Sequence, residues 1–506
     1  MTDTLYELFA GTAEQQPDAP AVEWPDRTLT YAQLDRAAEA VADLIRDARK
    51  PPIRVGLFAV RSAVAFAGYL AALRLGATVV PFHPDYPADR NQRIRDLADV
   101  DLVVADARAW TRRAQEWADG LPVLTLTDED VLAASPSGRL PSHDGNPDRT
   151  AYALFTSGTT GRPKGIPIKH RHVLPFIKHS ITRYQVGPGC RMSHTFDLTF
   201  DPSVYDLFVT WGGGAVLVVP SRSETFSPVD YLERRKLTHW FSVPSAVSVA
   251  TQLGRLPTGR TTTLRFSHFG GEQLTYHQAH TWHTVAPQSL IDNGYGPSEI
   301  AIGCAAYRLP QDPSQWPRTP NDTVPIGRVF DHLESLVIKE TDELCVRGPQ
   351  RFDGYLDPRD NKDRFLGTPD TARPGPRHYF RTGDRVRPKD GQLVHLGRLD
   401  DQVKIRGYRV EPGDVEAALR QLPQVDDAAV VVVRRNGIAE LVACHTGQPV
   451  TPRDLTQALR TTLPIHLVPR RFLHLHALPL NANGKTDRDA LQTLAATTPE
   501  PPPPNR

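Results

Sequence analysis

The first four hundred residues predict an α/β fold, because short runs of β-branched residues alternate there with amphipathic stretches. The chain has 506 residues, which is more than one hydrophobic core usually organises. At least two domains are therefore expected. The segment after residue 400 is shorter and mixes helical and strand patterns, which predicts a small α+β domain behind the large layered one.

The elements of the large domain follow from hydrophobic periodicity. A stripe at helical spacing predicts an amphipathic helix and consists of Tyr31, Leu34, Ala38, Val41 and Ile45. Residues 55–60 and 78–82 have the composition of strands, and the apolar stretch 63–75 between them predicts a helix. Residues 215–219 predict another buried strand, which is entered through three consecutive glycines.

A domain boundary is expected near Asp400, where the strand-like sequence QLVHLGRL gives way to a charged connector. Beyond it, residues 412–419 begin a helix, 428–433 predict a strand and 451–463 predict a second helix. The four consecutive prolines 501–504 predict a disordered polyproline tail.

Composition excludes several classes of function. The net charge is +1 and the pI is about 7.8, so no large basic surface for nucleic acid or an anionic membrane is expected. The N-terminus does not have the pattern of a signal peptide, and Arg74 interrupts the most apolar helical stretch, so no membrane span is expected. Four widely spaced cysteines predict buried free thiols in a reducing cytoplasm.

The sequence TSGTTGRPKG, residues 156–165, follows an apolar run and has the composition of a phosphate-binding loop. Its glycines let backbone N–H groups converge on an anion, its hydroxyls donate further hydrogen bonds, and its lysine adds positive charge. It is not a Walker A loop, because Gly165 follows Lys164 where that motif has Ser or Thr. Loop chemistry alone also fits a surface turn.

Further motifs follow in a fixed order: DNGYGPSE (292–299), YFRTGDRV (379–386), HLGRLDDQVKIRGYRVEPGDVE (395–416) and LPLNANGKTDRDAL (478–491). Together with the loop, they resemble the adenylate-forming superfamily of acyl-CoA synthetases, luciferase and nonribosomal peptide synthetase adenylation domains. The early segment 68–90 is similar to amino-acid-adenylating members. The resemblance implies a large N-terminal adenylation domain (1–399), a small mobile lid (400–495) and a disordered tail (496–506).

The resemblance implies that a substrate carboxylate attacks the α-phosphorus of ATP to form an acyl-adenylate. The loop would hold the β- and γ-phosphates through Thr156, Ser157, Gly158, Thr159, Thr160 and Lys164. Glu299 stands where relatives bind Mg²⁺, although it could instead begin a helix. The adenine base would contact Asn293, Gly294 and Tyr295, and the ribose would contact Asp384 and Arg398. Arg398 and Asp400 could alternatively form a surface pair.

The lid residues are also assigned by resemblance. Lys485 would bridge the substrate carboxylate and the α-phosphate, although a lysine after Asn-Gly is ordinarily a solvated turn residue. Asp400 lies at the hinge position. In relatives the lid rotates after adenylation, and the segment 404–409 with Gly407 would then present a second face to the site.

The motif FDPSVYDLF resembles amino-acid-adenylating relatives, in which its aspartate, here Asp201, binds the substrate ammonium. An aspartate before proline is otherwise often a turn or cap residue. The other expected pocket residues are Pro202, Tyr205, Phe241, His268, Gly270, Gly294, Ile302 and Gly303. Near His268 the alignment with the relatives could shift by one or two residues. Their aromatic and glycine content predicts a small amino acid of the alanine, glycine or serine type.

The predicted activity is that of a stand-alone ligase, which transfers the amino acid to the phosphopantetheine thiol of a separate carrier protein. The chain ends soon after Lys485, so the carrier is expected to act in trans. The arginine- and proline-rich composition favours an antibiotic pathway. The alternatives are a D-alanine:carrier protein ligase, an acyl-CoA ligase for a small or aryl acid, and a nucleotide-binding regulatory protein that has lost its chemistry.

Overall fold

The computed structural model describes residues 2–48, 54–138, 143, 145–156, 162–259, 261–367, 374–400, 402–435, 437–480 and 486–498. The helices in these residues are α1 (Leu5–Gln15), α2 (Tyr31–Ala48), α3 (Ala63–Arg74), α4 (Ala88–Ala98), α5 (Arg112–Trp117), α6 (Asp128–Ala133), α7 (His170–Arg183), α8 (Pro202–Gly212), α9 (Pro228–Arg234), α10 (Ser245–Gln252), α11 (Tyr276–Val285), α12 (Pro412–Arg420), α13 (Pro452–Leu459) and α14 (Arg488–Thr497).

The strands before residue 330 are β1 (Pro20–Glu23), β2 (Thr28–Thr30), β3 (Arg54–Phe58), β4 (Thr78–Phe82), β5 (Leu102–Asp106), β6 (Val123–Leu126), β7 (Thr150–Thr156), β8 (Lys164–Lys169), β9 (Arg191–Ser193), β10 (Val216–Val218), β11 (His239–Ser242), β12 (Phe266–Phe269), β13 (Leu290–Tyr295), β14 (Ala305–Arg308) and β15 (Arg328–Val329). Those that follow are β16 (Glu334–Ile338), β17 (Glu343–Arg347), β18 (Phe365–Leu366), β19 (Tyr379–Lys389), β20 (Gln392–Arg398), β21 (Val403–Ile405), β22 (Tyr408–Val410), β23 (Val425–Arg435), β24 (Ile438–Gly447) and β25 (Arg471–His474).

Two mostly parallel sheets form the large domain. One has the strand order β6-β5-β3-β4-β7-β8, and only its last pair, β7 with β8, is antiparallel. The other has the order β15-β14-β13-β12-β11-β9-β10-β1-β2 and is parallel from β13 to β1. Helix α3 packs on β3, β4 and β5 and is buried along its whole length except at Arg74. This arrangement fits strands that are apolar on both faces, such as β4 and β5.

A third sheet contains β16, β17, β19 and β18, with β20 paired to β19. The C-terminal part has its own three-stranded sheet, β23-β24-β25, and the short hairpin β21–β22. Its buried apolar residues form clusters that contain only residues from 403 onward. The structure is therefore a large layered α/β domain with a small α+β domain, as the sequence predicts.

Most predicted elements are present with shifted ends. All five residues of the predicted stripe are buried on α2, and β4 has the predicted bounds. Strand β3 ends two residues early, β23 is longer than 428–433, and α13 ends four residues before 463. All four cysteines are buried and free, as predicted. Residues 501–504 lie outside the described part of the chain.

Within the described residues, the helices are either too short or too polar for a membrane span.

Candidate functional site

Two adjoining cavities lie where the carboxyl ends of β12 and β13 meet β19, β20 and the connector to the C-terminal domain. The larger has a volume of about 400 Å³ and the smaller about 70 Å³. Residues common to both linings include Gly294, Tyr295, Asp384, Arg398 and Lys404. Ligands of open α/β sheets commonly bind at the carboxyl ends of the strands, and most of the predicted site residues surround these cavities.

The hairpin of β7 and β8 holds the ends of the predicted phosphate loop together. Thr156 pairs with Lys164 across the antiparallel ladder, so the two ends of the loop lie side by side. Burial lowers the pKa of Lys164, and Arg364 acts in the same direction. Ser157, Gly158, Thr159 and Thr160 lie outside the described residues.

The end of β13 carries the predicted adenine contacts. The Asn293 side-chain nitrogen donates to the carbonyls of Val324 and Pro325 at 3.1 and 2.9 Å, whereas its buried oxygen Oδ1 has no partner among the described residues. The Tyr295 hydroxyl donates to Asp384 Oδ2 at 2.6 Å. Asn293 also lines the larger cavity.

Asp384 lies at the centre of a charged network. Its Oδ1 accepts hydrogen bonds from Arg398 at 2.9 Å and faces His395 Nε2 at 3.1 Å. Burial by itself raises the pKa of Asp384, but His395, Arg398 and Lys404 hold it well below its ordinary value. Arg398 also makes a two-point ion pair with Asp400, at 2.6 and 2.9 Å. The predicted ribose contacts and the predicted hinge residue are thus directly connected.

Glu299 is completely buried, and its two carboxylate oxygens differ. Oε1 accepts from the Tyr355 hydroxyl at 2.6 Å and from Arg409 at 2.9 Å. Oε2 has no hydrogen-bond partner among the described residues. Burial raises the pKa of Glu299, but Arg409 and Tyr355 together hold it below its ordinary value. A buried, ionised and incompletely paired carboxylate oxygen is a ligand of the kind that Mg²⁺ prefers, so the site fits this metal.

Asp201 is the residue at the start of α8 and is only 6% exposed. Its side chain makes no capping hydrogen bond to the helix, which argues against the alternative of a structural cap. Burial raises the pKa of Asp201 to about 6, although the Ser298 hydroxyl and Lys404 act in the opposite direction. The carboxylate lines the smaller cavity and forms no ion pair with another described residue.

The other predicted pocket residues line the same smaller cavity, except Tyr205, which packs against its aromatic lining. The His268 ring stacks on Phe241 with centroids 4.1 Å apart, and Tyr205 meets both rings edge-on. Pro202, Gly270, Gly294, Ile302 and Gly303 also line the cavity. A Cβ on Gly294 would lie 2.2 Å from the His268 ring, so glycine is required where β13 passes this ring. His268 lines the cavity, whereas Phe269 packs in a separate core.

Ile302 has φ of +79°, in the left-handed region that β-branched residues rarely adopt. Its neighbour Gly303 has no space for a side chain, since a Cβ there would lie 2.7 Å from Phe176. Backbone strain of this kind persists only where the surrounding structure enforces it, and it is common at ligand sites.

The hairpin β21–β22 of the C-terminal domain contributes to the lining of both cavities. Lys404 lines them, the Gly407 N–H donates to Glu272 Oε1 at 3.0 Å, and Arg409 reaches Glu299. Burial lowers the pKa of Lys404, whereas the charge of Asp384 raises it in part. The segment 404–409 therefore faces the site in this structure. Lys485, the other predicted lid residue, lies outside the described residues.

Several lining residues had no place in the predicted site. Phe176, His179 and Arg183 on α7 form one wall of the smaller cavity, and Phe330 closes it. Nothing in their local sequence distinguishes them from an ordinary amphipathic helix. His395, by contrast, is the first residue of the motif segment 395–416, and that motif was the available signal.

Comparison with known proteins gives two family matches. Residues 9–356 match the model described as AMP-binding enzyme, and residues 414–485 match the AMP-binding enzyme C-terminal domain. Phosphinothricin tripeptide synthetase PhsC of Streptomyces viridochromogenes is 35% identical over 96% of this chain. The chain spans only 45% of the length of that relative.

Solved structures of adenylation domains are also similar to this chain. The Vibrio cholerae adenylation domain AlmE, in complex with glycyl-adenosine-5'-phosphate, has a TM-score of 0.84 and 25% identity, and the alignment covers 98% of each chain. Holo-PA1221, a nonribosomal peptide synthetase protein with adenylation and carrier (PCP) domains, has a TM-score of 0.78 and 26% identity. That alignment covers 97% of this chain and 84% of the other.

Proposed function

The chain belongs to the AMP-binding enzyme family, and from that premise we propose that it activates a small amino acid with ATP and transfers it to a carrier-protein thiol. The observation that carries the proposal is Asp201. It is a buried carboxylate on the wall of a small cavity, it does not cap its helix, and the cavity adjoins the motifs expected to bind the nucleotide. A substrate ammonium group would supply the missing cation.

ATP would occupy the larger cavity. The free Asn293 oxygen is suited to the amino group of adenine, and Tyr295 would lie beside the base. Asp384 would accept the ribose hydroxyls, since among the described residues Oδ2 receives a hydrogen bond from Tyr295 alone. The residues of the loop from Thr156 to Lys164 would hold the phosphates, and their N–H and ammonium groups would reduce the repulsion between two anionic reactants.

Glu299 would hold Mg²⁺ through its free oxygen. The ion, when bound, supplies positive charge to the phosphates. The chain itself contributes the buried carboxylate, which Tyr355 and Arg409 keep ionised and oriented. Lys485 is proposed to contact the substrate carboxylate in another lid orientation.

The amino acid would bind with its ammonium group at Asp201 and its side chain towards His268 and Phe241. The volume of about 70 Å³ and the aromatic wall support a small side chain. The glycyl-adenylate bound by AlmE supports the same substrate class.

The acceptor half of the reaction would use the lid orientation seen in this structure, with Gly407 close to the site. The carrier-containing PA1221 supports a carrier thiol as acceptor. An ATP-dependent reaction with a free thiol fits the cytoplasm, and a carrier supplied in trans stays part of the proposal.

The test is ATP–pyrophosphate exchange across L- and D-amino acids, propionate and aryl acids, followed by transfer to a holo-carrier protein or to coenzyme A. We expect exchange with alanine, glycine or serine and transfer to the holo-carrier. Exchange with propionate or an aryl acid alone, together with transfer to coenzyme A, would identify an acyl-CoA ligase instead. Absence of exchange with every acid would contradict adenylation altogether.

A further inference from the structure

We infer that the part of the smaller cavity lined by His179, Arg183 and His268 binds an oxygen atom of the substrate side chain, so that the preferred amino acid carries a short, hydroxyl-bearing side chain. The inference rests on the proposed function, and it narrows the small amino acids to the serine type. Its basis is a set of buried nitrogen atoms that have no hydrogen-bond partner in the described part of the chain.

His268 is the first of these groups. The residue is 6% exposed, and Nδ1 is buried without a partner among the described residues. Tyr184 stacks on one face of the ring at 5.0 Å and Phe241 on the other at 4.1 Å, so the orientation of the ring is fixed. An imidazole that is held rigidly and left unpaired is costly, and a ligand group that pairs with it recovers that cost.

Two further nitrogens on α7 share this environment. His179 Nε2 and Arg183 Nε are also buried without partners in the described part of the chain, and both residues line the same cavity. Among the described lining residues of this cavity, the buried side-chain atoms without a partner are all nitrogens. An oxygen atom of a ligand would supply the hydrogen bonds that these nitrogens lack.

The local charge favours the same ligand chemistry. Asp292 accepts from Arg183 at 2.5 Å and from Arg308 at 2.6 Å, so two guanidinium groups share one carboxylate. Burial lowers the pKa of His268 to about 3, so its ring is neutral at physiological pH and offers one donor and one acceptor. A hydroxyl group can satisfy both kinds of nitrogen, because it accepts and donates.

The size of the cavity limits the side chain to a few atoms beyond the α-carbon. Serine and 2-aminobutyrate have nearly the same shape, but the second has a methyl group in place of the hydroxyl. A site that is built to hydrogen-bond a substrate hydroxyl discriminates against such an analogue, because the protein groups stay unpaired.

The experiment compares kcat/KM for serine and 2-aminobutyrate in pyrophosphate exchange, with the enantiomers assayed separately. For the wild-type protein we expect serine to be preferred by roughly ten- to hundredfold. In His268→Phe, which keeps a stacked ring but removes both nitrogens, the ratio of the two substrates should fall towards one, whatever the absolute rates.

Equal use of the two substrates by the wild type, or a preference for 2-aminobutyrate, would overturn the inference even if the His268→Phe variant does not fold. Retention of the full serine preference in a folded His268→Phe variant would also overturn it. Exchange with alanine would show in both cases that adenylation itself is intact. A wild type that shows no exchange with any amino acid would instead contradict the proposed function.

Discussion

At the residue scale, the burial of the Asp201 carboxylate bears on which substrates the pocket accepts. It lies in a pocket where burial disfavours its charge, and no cation of the large domain pairs with it directly in the described structure. Lys404, which lowers the pKa of Asp201 through its charge, comes from the C-terminal domain. A cation carried by the substrate would therefore pair with this carboxylate.

Asp201→Asn should therefore affect amino acids and simple acids differently. Loss of one partner of a buried ion pair costs about 3–5 kcal/mol, so kcat/KM for the preferred amino acid should fall by roughly two to four decades. Propionate carries no ammonium group and should lose little. Exchange assays with alanine and propionate measure the ratio, and an unchanged ratio would show that Asp201 does not bind the ammonium.

The raised pKa of Asp201 predicts a pH dependence. With a free-enzyme pKa of about 6, the carboxylate is ionised above that pH and becomes protonated below it. The value of kcat/KM for the amino acid should therefore fall by about tenfold per pH unit below pH 6. The pH profile of Asp201→Asn serves as the control and should lack this limb. An identical limb in both proteins would assign it to another group.

At the element scale, the hairpin β21–β22 brings the C-terminal domain into the site. Its turn residue Gly407 has φ of +83°, and a Cβ there would lie 2.6 Å from Val243 and 3.2 Å from Phe200. The close contact exists only while this hairpin faces the large domain. Bulk at Gly407 should therefore oppose this lid orientation specifically.

Gly407→Leu should slow thioester formation by roughly ten- to hundredfold, as expected from overpacking, and should slow adenylation much less. The two half-reactions are measured separately, as carrier loading and as pyrophosphate exchange. Gly254→Leu is a matched control, because Gly254 also has positive φ but has no atoms within 4 Å of the added Cβ. Equal damage to both half-reactions of Gly407→Leu would refute a role of this orientation in the second step.

The sequence predicts elements well where periodicity is strong and fails where contacts are distant. The stripe on α2 is visible because each buried residue recurs at helical spacing. The order of the nine-stranded sheet is not visible in the sequence. Its strand β9 pairs with β10 and β11, and β1 pairs with β10, across long stretches of sequence. The motifs lead to Asp201 and Glu299, but the wall formed by His179 and Arg183 depends on how α7 packs.

At the scale of the whole molecule, Glu299 links the two domains through Arg409. Mg²⁺ on the same carboxylate would place a second positive charge beside this guanidinium. Mg²⁺ and the guanidinium of the lid repel each other at this carboxylate, so the binding of each weakens the binding of the other by the same factor. Binding of Mg²⁺ and ATP should therefore disfavour the lid orientation of this structure.

Removal of that charge in Arg409→Met should lower the Mg²⁺ concentration for half-maximal pyrophosphate exchange by at least about fivefold. Carrier loading should become slower, because the present lid orientation loses an ion pair. Arg406→Met removes a cation from the same hairpin without touching Glu299 and is the control. If the Mg²⁺ dependence of Arg409→Met equals that of the wild type, the carboxylate is not shared between metal and lid.

The aromatic contact of Tyr408 has a consequence for following the lid in solution. Its ring stacks on Phe200 of the large domain, with centroids 5.5 Å apart, and on His466 of its own domain at 4.0 Å. All seven tryptophans of the chain lie at or before residue 316. Tyr408→Trp therefore gives the lid a single indole at the domain contact. Rotation would move that indole from ring contact into water, and its fluorescence emission would report the order of lid movement and catalysis in real time.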